Sequence, residues 1–273
     1  MAVRKSPARN ERFHVGVGGW NFAPWRGEFY PPGLTQAREL AYMSAELNSL
    51  EINSTFYGLQ KPATFQRWHD ATPEDFLFAV KAPRFVTGRR DLATAASGIE
   101  RFLDSGVWKL AAKLGPINWQ LAPGKPFVAA EIDAFLSLLP STREGIPLRH
   151  AIEVRDGSFA VTEFVQLARS HGVAIVLAGD SEYPQIADAT APFAYLRIMG
   201  TEDAQRQGYS AAALTRWAKR AGEIAAGKPP GGLVLIAGQT APKAKPREVF
   251  LYVISGAKRR NPAAARALLA RLS

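Results

Sequence analysis

Eight short runs of Val, Ile, Leu, Phe and Tyr recur along the chain, spaced so that a helix fits between most of them. They are FHVGVGGW (13–20), SLEINSTFY (49–57), FLFAVKAP (76–83), LGPINWQLA (114–122), RHAIEVRD (149–156), VAIVLAGD (173–180), FAYLRIMG (193–200) and EVFLYVIS (248–255). In TQARELAYMSAELN (35–48), Leu40, Met43 and Leu47 share one helical face, with Thr35 available as N-cap. In VTEFVQLARSHG (161–172), Phe164, Leu167 and Ala168 share a face, and Gly172 suits a left-handed C-terminal cap. Strands that alternate with helices build a parallel sheet. Eight such units in about 250 residues predict an α/β fold, a single closed (β/α)8 barrel of TIM type. A doubly wound open sheet is the other arrangement, but no GxGxxG turn follows the first run.

One stretch breaks the alternation. GKPPGGLVLIAGQTAPKAKPR (227–247) carries an extra apolar run, LVLIAG (233–238), and then a loop of Pro, Ala and Lys. It reads as an insertion before the last strand, adding a short strand or a flap at the barrel edge.

The basic residues lie at the ends. Of a net charge of +10, residues 1–12 contribute +3 and residues 228–273 contribute +8, while 13–227 sum to −1. Residues 1–12 read as a disordered basic tail ahead of a barrel domain spanning 13–273. Such ends attract phosphate backbones, and they equally suit a solvated tail and a basic surface helix. The absence of cysteine excludes disulfides, thiolate metal ligands and a cysteine nucleophile. No leader-like apolar run opens the chain and no segment has about 18 consecutive apolar residues, so the expectation is a soluble cytoplasmic protein with no membrane partner.

In a closed barrel alternate strand residues point inward, and those near the strand C-termini form the usual active-site face. Period two sends Leu50 and Ile52 outward and Glu51, Asn53 and Thr55 inward. It likewise turns Glu153 and Arg155 inward, with Tyr195, Arg197 and Met199, Lys81 and Gln120, and the sixth run ends at Asp180. Five charges therefore face a lumen that Val, Ile and Leu would fill. A buried ion without a partner costs several kcal/mol, so these groups must pair, meet water or meet a ligand. Two arrangements satisfy this. One is a closed lattice, for instance Glu51–Arg155 and Glu153–Arg197. The other is a mouth with net charge +1, in which Arg155 and Arg197 clamp an anionic group and a glutamate serves as base.

Aromatic residues gather near the same end: Trp20, Trp25, Phe29, Tyr30, Phe56, Tyr57 and Trp119. Each offers a stacking face or a packing surface. Tyr57 and Trp20 are the best placed for ligand contact.

Several blocks together resemble a known family across about residues 13–268. They are GGWNFAPWRGEFYPPGL (18–34), LEINSTFYGLQKPATFQRW (50–68), TPEDFLFAVKAPRFVTG (72–88), KLGPINWQLAP (113–123), AIEVRDGSF (151–159), YLRIMG (195–200) and NPAAARAL (261–268). The family is domain of unknown function 72 (YecE-like), and the resemblance implies a TIM-barrel-like fold without supplying a reaction or a cofactor. Members commonly carry a His after the third strand and another before the Gly that ends the seventh. Gly88 and Met199 stand there in this chain, and Ser255–Gly256 replaces an acidic or amide pair after the last strand. These departures argue against His- or metal-dependent chemistry. The residues agree: His14, His69, His150 and His171 show no metal-ligand spacing, and no GxSxG elbow is present.

The expected function is binding of a phosphate- or carboxylate-bearing ligand at the barrel mouth, with hydrolysis as the reaction. Glu51, Glu153 and Lys81 are the catalytic candidates. Asn53, Tyr57, Trp20, Gln120, Arg155 and Arg197 are the substrate-binding ones, with no metal site. The alternative is a binding module without chemistry, whose basic terminal segments track nucleic-acid phosphate.

Overall fold

The computed structural model describes residues 11–238 and 245–273. Residues 1–10, most of the expected basic tail, lie outside the described residues.

All eight apolar runs form strands. They are β1 (Phe13–Val17), β2 (Ser49–Ile52), β3 (Leu77–Lys81), β4 (Leu114–Gln120), β5 (His150–Glu153), β6 (Ala174–Gly179), β7 (Phe193–Ile198) and β8 (Glu248–Val253). The ladders between these eight are all parallel, in the order β1-β8-β7-β6-β5-β4-β3-β2. The two ends of this sheet meet at β1 and β2, and a side chain does most of the joining. Asn48 accepts from Val15 N at 2.7 Å through Oδ1 and donates to Phe13 O at 2.7 Å through Nδ2. One turn further up, Gly19 N donates to Glu51 O at 2.8 Å. The approach is so close that a Cβ on Gly16 would stand 2.1 Å from Ser49 O. Glycine at position 16 is what lets the barrel close.

Helices cover the outside: α1 (Glu39–Glu46), α2 (Pro62–Asp70), α3 (Ala96–Asp104), α4 (Ala129–Ser137), α5 (Thr162–Ser170), α6 (Ala211–Ala225) and α7 (Asn261–Leu272). Leu40, Met43 and Leu47 face the sheet as their spacing requires. Thr35 caps a preceding 3-10 turn through its backbone alone, its hydroxyl making no cap bond. On α5 the innermost residues are Phe164, Val165 and Ala168, with Leu167 half-buried, and Gly172 takes the left-handed φ of 64°.

Among the described residues no helix lies between β6 and β7. Residues 227–238 of the insertion run past that gap, and 239–244 lie outside the described residues. LVLIAG forms no strand there but an irregular strap, with Ile236 N and Ala237 N donating to the buried Asp188 carboxylate at 2.7 and 3.0 Å. Leu233, Ile236 and Ala237 pack on the core, so the strap does part of the covering a helix would do. A cavity of about 230 Å³ remains beside it, lined by Leu177, Ile186, Leu196 and Leu235, outside the barrel wall and away from the mouth.

The lumen is filled in layers. Ala79, Ala151, Ala174, Val176, Tyr195, Phe250 and Tyr252 form an interior cluster distinct from the core between sheet and helices. The charged residues lie above this plug, toward the C-terminal end.

Candidate functional site

Each charged residue reaches the lumen because its strand alternates. Leu50, Ile52, Ile152, Leu196 and Ile198 are buried under the helices, which turns Glu51, Glu153 and Arg197 inward. Arg197 sits at the centre. Its Nη2 donates to Glu51 Oε1 at 3.0 Å, and its Nη1 to Glu153 Oε2 at 2.5 Å and to Gln120 Oε1 at 3.3 Å. Tyr195 OH donates to the other Glu51 oxygen at 2.6 Å. Asn118 Nδ2 donates to Glu153 Oε2 at 3.2 Å. Arg155 closes the set, its Nε and Nη2 lying 3.1 and 3.0 Å from Glu153 Oε1. The expected partner exchange differs in one respect. Arg155 pairs with Glu153, and Glu51 goes to Arg197, whose planar fork spans both carboxylates.

Two carboxylates and two guanidiniums thus balance one another, and the fifth charge is left over. Lys81 ends β3, is 7% exposed, and among the described residues its ammonium has no hydrogen bond or ion pair. The Phe56 ring lies beside it, with Nζ 4.0 Å from the centroid. Burial, helped by the Arg197 and Arg155 charges, pulls the Lys81 ammonium down to about 8, although Glu51 and Glu153 act the other way. Burial opposes ionisation of Glu153, yet Arg197, Arg155 and Lys81 outweigh it and hold this carboxyl below its ordinary range. The Tyr195 hydroxyl is pushed up by burial and by the Glu51 charge, so it donates and stays protonated.

Some polar groups in the same place are unsatisfied. Asn53 Oδ1, Asn118 Oδ1 and Arg197 Nε are buried with no hydrogen-bond partner among the described residues. Such orphans are uncommon in a structural core, where nearly every buried polar atom finds a partner.

Beside this lattice, over the ends of β1 and β2, lies an open cleft of about 340 Å³. Gly18 and Asn53 line it, together with Trp20, Phe22, Gln60, Trp68 and Lys258. A Cβ on Gly18 would press to 2.6 Å on Asn53 Nδ2, so this glycine lets the amide lie beside the backbone of the first strand. Trp20 meets Trp68 edge to face at 5.3 Å, and Lys258 Nζ sits 4.4 Å over the Phe22 ring. Burial lowers the Lys258 pKa.

Of the sequence-predicted residues, the structure gathers Glu51, Glu153, Lys81, Gln120, Arg155 and Arg197 at the mouth, and puts Asn53 and Trp20 on the cleft. Tyr57 is 72% exposed on the helical turn Ser54–Tyr57, facing Arg84 instead. Trp119 is not at the mouth. Its position between Asn118 and Gln120 turns it outward, where its Nε1 donates to His150 Nδ1 and its ring packs on Phe102 and Phe135. Trp25 is buried and staples the first loop to the end of the chain through Lys258 O. Thr55 does not line the lumen but ties β2 to β3 by bonding Lys81 O at 2.7 Å. Asp180 is occupied by Trp217 Nε1.

Sequence reasoning passed over Asn118 and Tyr183, and placed Phe56 among the aromatic residues near the mouth without its contact to Lys81. Asn118 had a signal, since it stands two residues before Gln120 on the same face. Tyr183, whose ring lies under the Arg155 guanidinium at 4.5 Å, comes from the irregular 180–192 connection and had none. The basic ends are partly neutralised: Arg259 pairs with Glu28 and Asp203, and Arg260 with Asp203. Among the described residues no group of three or more His, Asp or Glu gathers as a metal site, and no helix is long and apolar enough to cross a membrane.

Eight parallel strands in a nearly closed barrel, with the polar groups collected at the strand C-termini, define a TIM-barrel-type protein. The chain belongs to the family described as "Protein of unknown function DUF72", whose model matches residues 14–273. It is 29% identical over 141 residues to the "UPF0759 protein YecE" of Escherichia coli K12, covering 50% of this chain and 48% of that one. It is 30% identical over 77 residues to the "UPF0759 protein YunF" of Bacillus subtilis, covering 28% of this chain and 26% of that one. The chain thus spans about half or less of the length of these relatives. Two solved DUF72 family proteins share the fold. One, from Thermotoga maritima, has a TM-score of 0.69 at 21% identity, covering 95% of this chain and 98% of the other. The second, from Enterococcus faecalis, has a TM-score of 0.68 at 16% identity, covering 95% of each.

Proposed function

We propose that the C-terminal mouth of the barrel is an active site that binds a small molecule through a phosphate or carboxylate group. The observation that carries this reading is the surplus cation. Glu51 and Glu153 are matched by Arg197 and Arg155, and Lys81 stands buried beside them without an anion. A lone buried ammonium is costly, and an incoming anion relieves that cost. Arg155 supplies the second contact: its side chain is 17% exposed, and its Nη1 has only a long 3.5 Å approach to Tyr183 OH. Arg197, Gln120 and Asn118 act as the frame, and the Trp20 cleft takes the rest of the molecule.

Hydrolysis with Glu51 as base would have that carboxylate take a proton from water. Both oxygens of Glu51 already accept, from Arg197 and Tyr195, and the residue is fully buried. Lys81 is therefore the better acid–base group, with a pKa brought close to neutral pH. The alternative of a nucleic-acid module draws less support, because Arg259 and Arg260 are tied to acidic residues.

Isothermal titration with inorganic phosphate and with pyruvate tests the reading. The expected result is one-site binding of at least one of them, weakened about 10-fold or more by Arg155→Met, as for loss of a charge-assisted contact. Absence of binding at millimolar concentrations, or affinity unchanged in Arg155→Met, would overturn it.

A further inference from the structure

Resting on that reading, we infer that Lys81 is an imine-forming lysine and that the ligand is a carbonyl compound, an aldehyde or ketone, carrying the anionic group. The geometry separates Lys81 from the other cations of the mouth. The guanidiniums of Arg155 and Arg197 are locked to carboxylates by four hydrogen bonds at 3.1 Å or less, whereas among the described residues the Lys81 amine makes no hydrogen bond. Removing the charge of Arg155 or Arg197 would strand a buried carboxylate. Removing that of Lys81 leaves the two carboxylates and two guanidiniums in balance, so the lattice tolerates a neutral amine. Its backbone is pinned, since Thr55 bonds Lys81 O and the residue closes strand β3. One face is occupied by the Phe56 ring, a surface that gives a buried ammonium little solvation compared with water. Glu51, Glu153, Arg155 and Arg197 are the charged groups that act on it, and burial together with the two arginines favours the neutral form.

The step balances without a redox partner. The Lys81 Nζ lone pair attacks the carbonyl carbon, the C=O π pair passes to oxygen, and a proton moves from nitrogen to that oxygen. In the resulting carbinolamine the nitrogen lone pair forms the C=N bond as the C–O bond breaks, the remaining N–H proton passes through solvent to the departing oxygen, and water leaves. The Arg155 edge holds the anionic end, which sets the carbonyl toward Lys81.

Reductive trapping tests this on the full chain. The protein is incubated with glyoxylate and sodium cyanoborohydride near pH 7.5, and modified lysines are located by peptide mass spectrometry. The expected result is one carboxymethyl group at Lys81, formed about 10-fold or more faster than at any exposed lysine such as Lys61 or Lys219, since more of the amine is neutral. Acetaldehyde, which lacks the anion, should keep only the part of that preference that comes from the neutral amine, and Arg155→Met should reduce the preference for glyoxylate to the same level. Modification spread evenly over the lysines, or an untouched Lys81, would overturn the inference. If phosphate or pyruvate still binds in an Arg155-dependent way while Lys81 resists trapping, the imine fails and the anion site stands. If acetaldehyde labels Lys81 as selectively as glyoxylate, the imine stands and the anion site fails. Lys81→Met should abolish the adduct. The rate at Lys81 relative to Lys219, measured in the wild-type protein between pH 6.5 and pH 9, gives the same answer if that variant does not fold: a ratio that falls as pH rises is expected, and a constant ratio counts against the inference.

Discussion

Arg197 Nη1 lies 2.5 Å from Glu153 Oε2, and the strands that carry the two residues, β7 and β5, are not neighbours in the sheet. The same guanidinium reaches Glu51 on β2, so three strands are tied across the lumen by one side chain. A buried ion pair of this kind is weak evidence for stability as a whole, but breaking it from one side is severe. Arg197→Met, which strands the buried Glu51 carboxylate and leaves Glu153 with Arg155 alone, should therefore cost about 3–5 kcal/mol in urea unfolding. Adding Glu51→Gln and Glu153→Gln to it should recover at least half of the loss. A cost below about 1 kcal/mol for the single variant would mean that the carboxylates relax to water or protonate at little expense.

Lys81 sets a pH dependence with an unusual sign. Its folded-state pKa of about 8 lies below the unfolded value. Between the two, the unfolded chain binds more protons, so stability rises with pH from about 8 to about 10.4 and is flat in this respect below that window. Lys81→Met should raise stability at pH 7 and abolish the rise. Carbon-13 NMR of the reductively dimethylated protein should show one amine titrating near pH 8, and a Lys81 signal with an ordinary lysine midpoint would contradict this.

Glu153 has the opposite linkage. Burial opposes its ionisation, but Arg197, Arg155 and Lys81 hold its folded pKa below the unfolded one. The stabilisation is present above the unfolded value of about 4.3 and is lost as pH falls through the lower folded value. The stability difference between wild type and Glu153→Gln should shrink as pH falls from 5 toward 2. A difference independent of pH over that range would show that the residue contributes through hydrogen bonding alone.

How much of this was legible beforehand follows from the period of a strand. Alternation places Glu51, Glu153, Lys81, Arg155, Gln120 and Arg197 on one face, and the coordinates gather all six at the mouth. The pairings were not legible, because period two gives a direction and not a distance across the lumen. Proximity to a strand end draws Trp119 toward the mouth, but its alternation with Asn118 turns it outward. Tyr57 lies beyond the point where β2 turns into a helix, so strand logic no longer applies to it. The composition of 233–238 fits a short strand or a flap, and the strap is not a strand. With β8 already paired on both sides, by β1 and β7, no sheet edge was open to receive it there.

That strap depends on one carboxylate. Asp188 is buried and accepts from the backbone of both Ile236 and Ala237. Asp188→Ala should leave the barrel folded, at a cost of about 1–3 kcal/mol for the two lost charge-assisted bonds. Hydrogen exchange at Ile236 and Ala237 should accelerate while exchange in β6 and β7 changes little. Faster exchange throughout those strands would instead make the strap part of the barrel's cooperative unit.

The seam between β1 and β2 gives the sharpest sequence-level test. No ladder joins these strands along their length, and Asn48 supplies backbone-like bonds to Val15 and Phe13 in its place. Gly16 permits the approach, since a Cβ there would meet Ser49 O at 2.1 Å. Asn48→Ala removes two buried hydrogen bonds and should cost about 2–4 kcal/mol, because a backbone N–H and a C=O are left unpaired. Gly16→Ala should cost more, because the backbone itself must move apart and the Glu51 end of β2 moves with it. The paired measurement is urea unfolding together with the binding titration. Gly16→Ala is expected to lower both stability and anion affinity, and Asn48→Ala mainly stability. A Gly16→Ala variant as stable as wild type would contradict the closure described here.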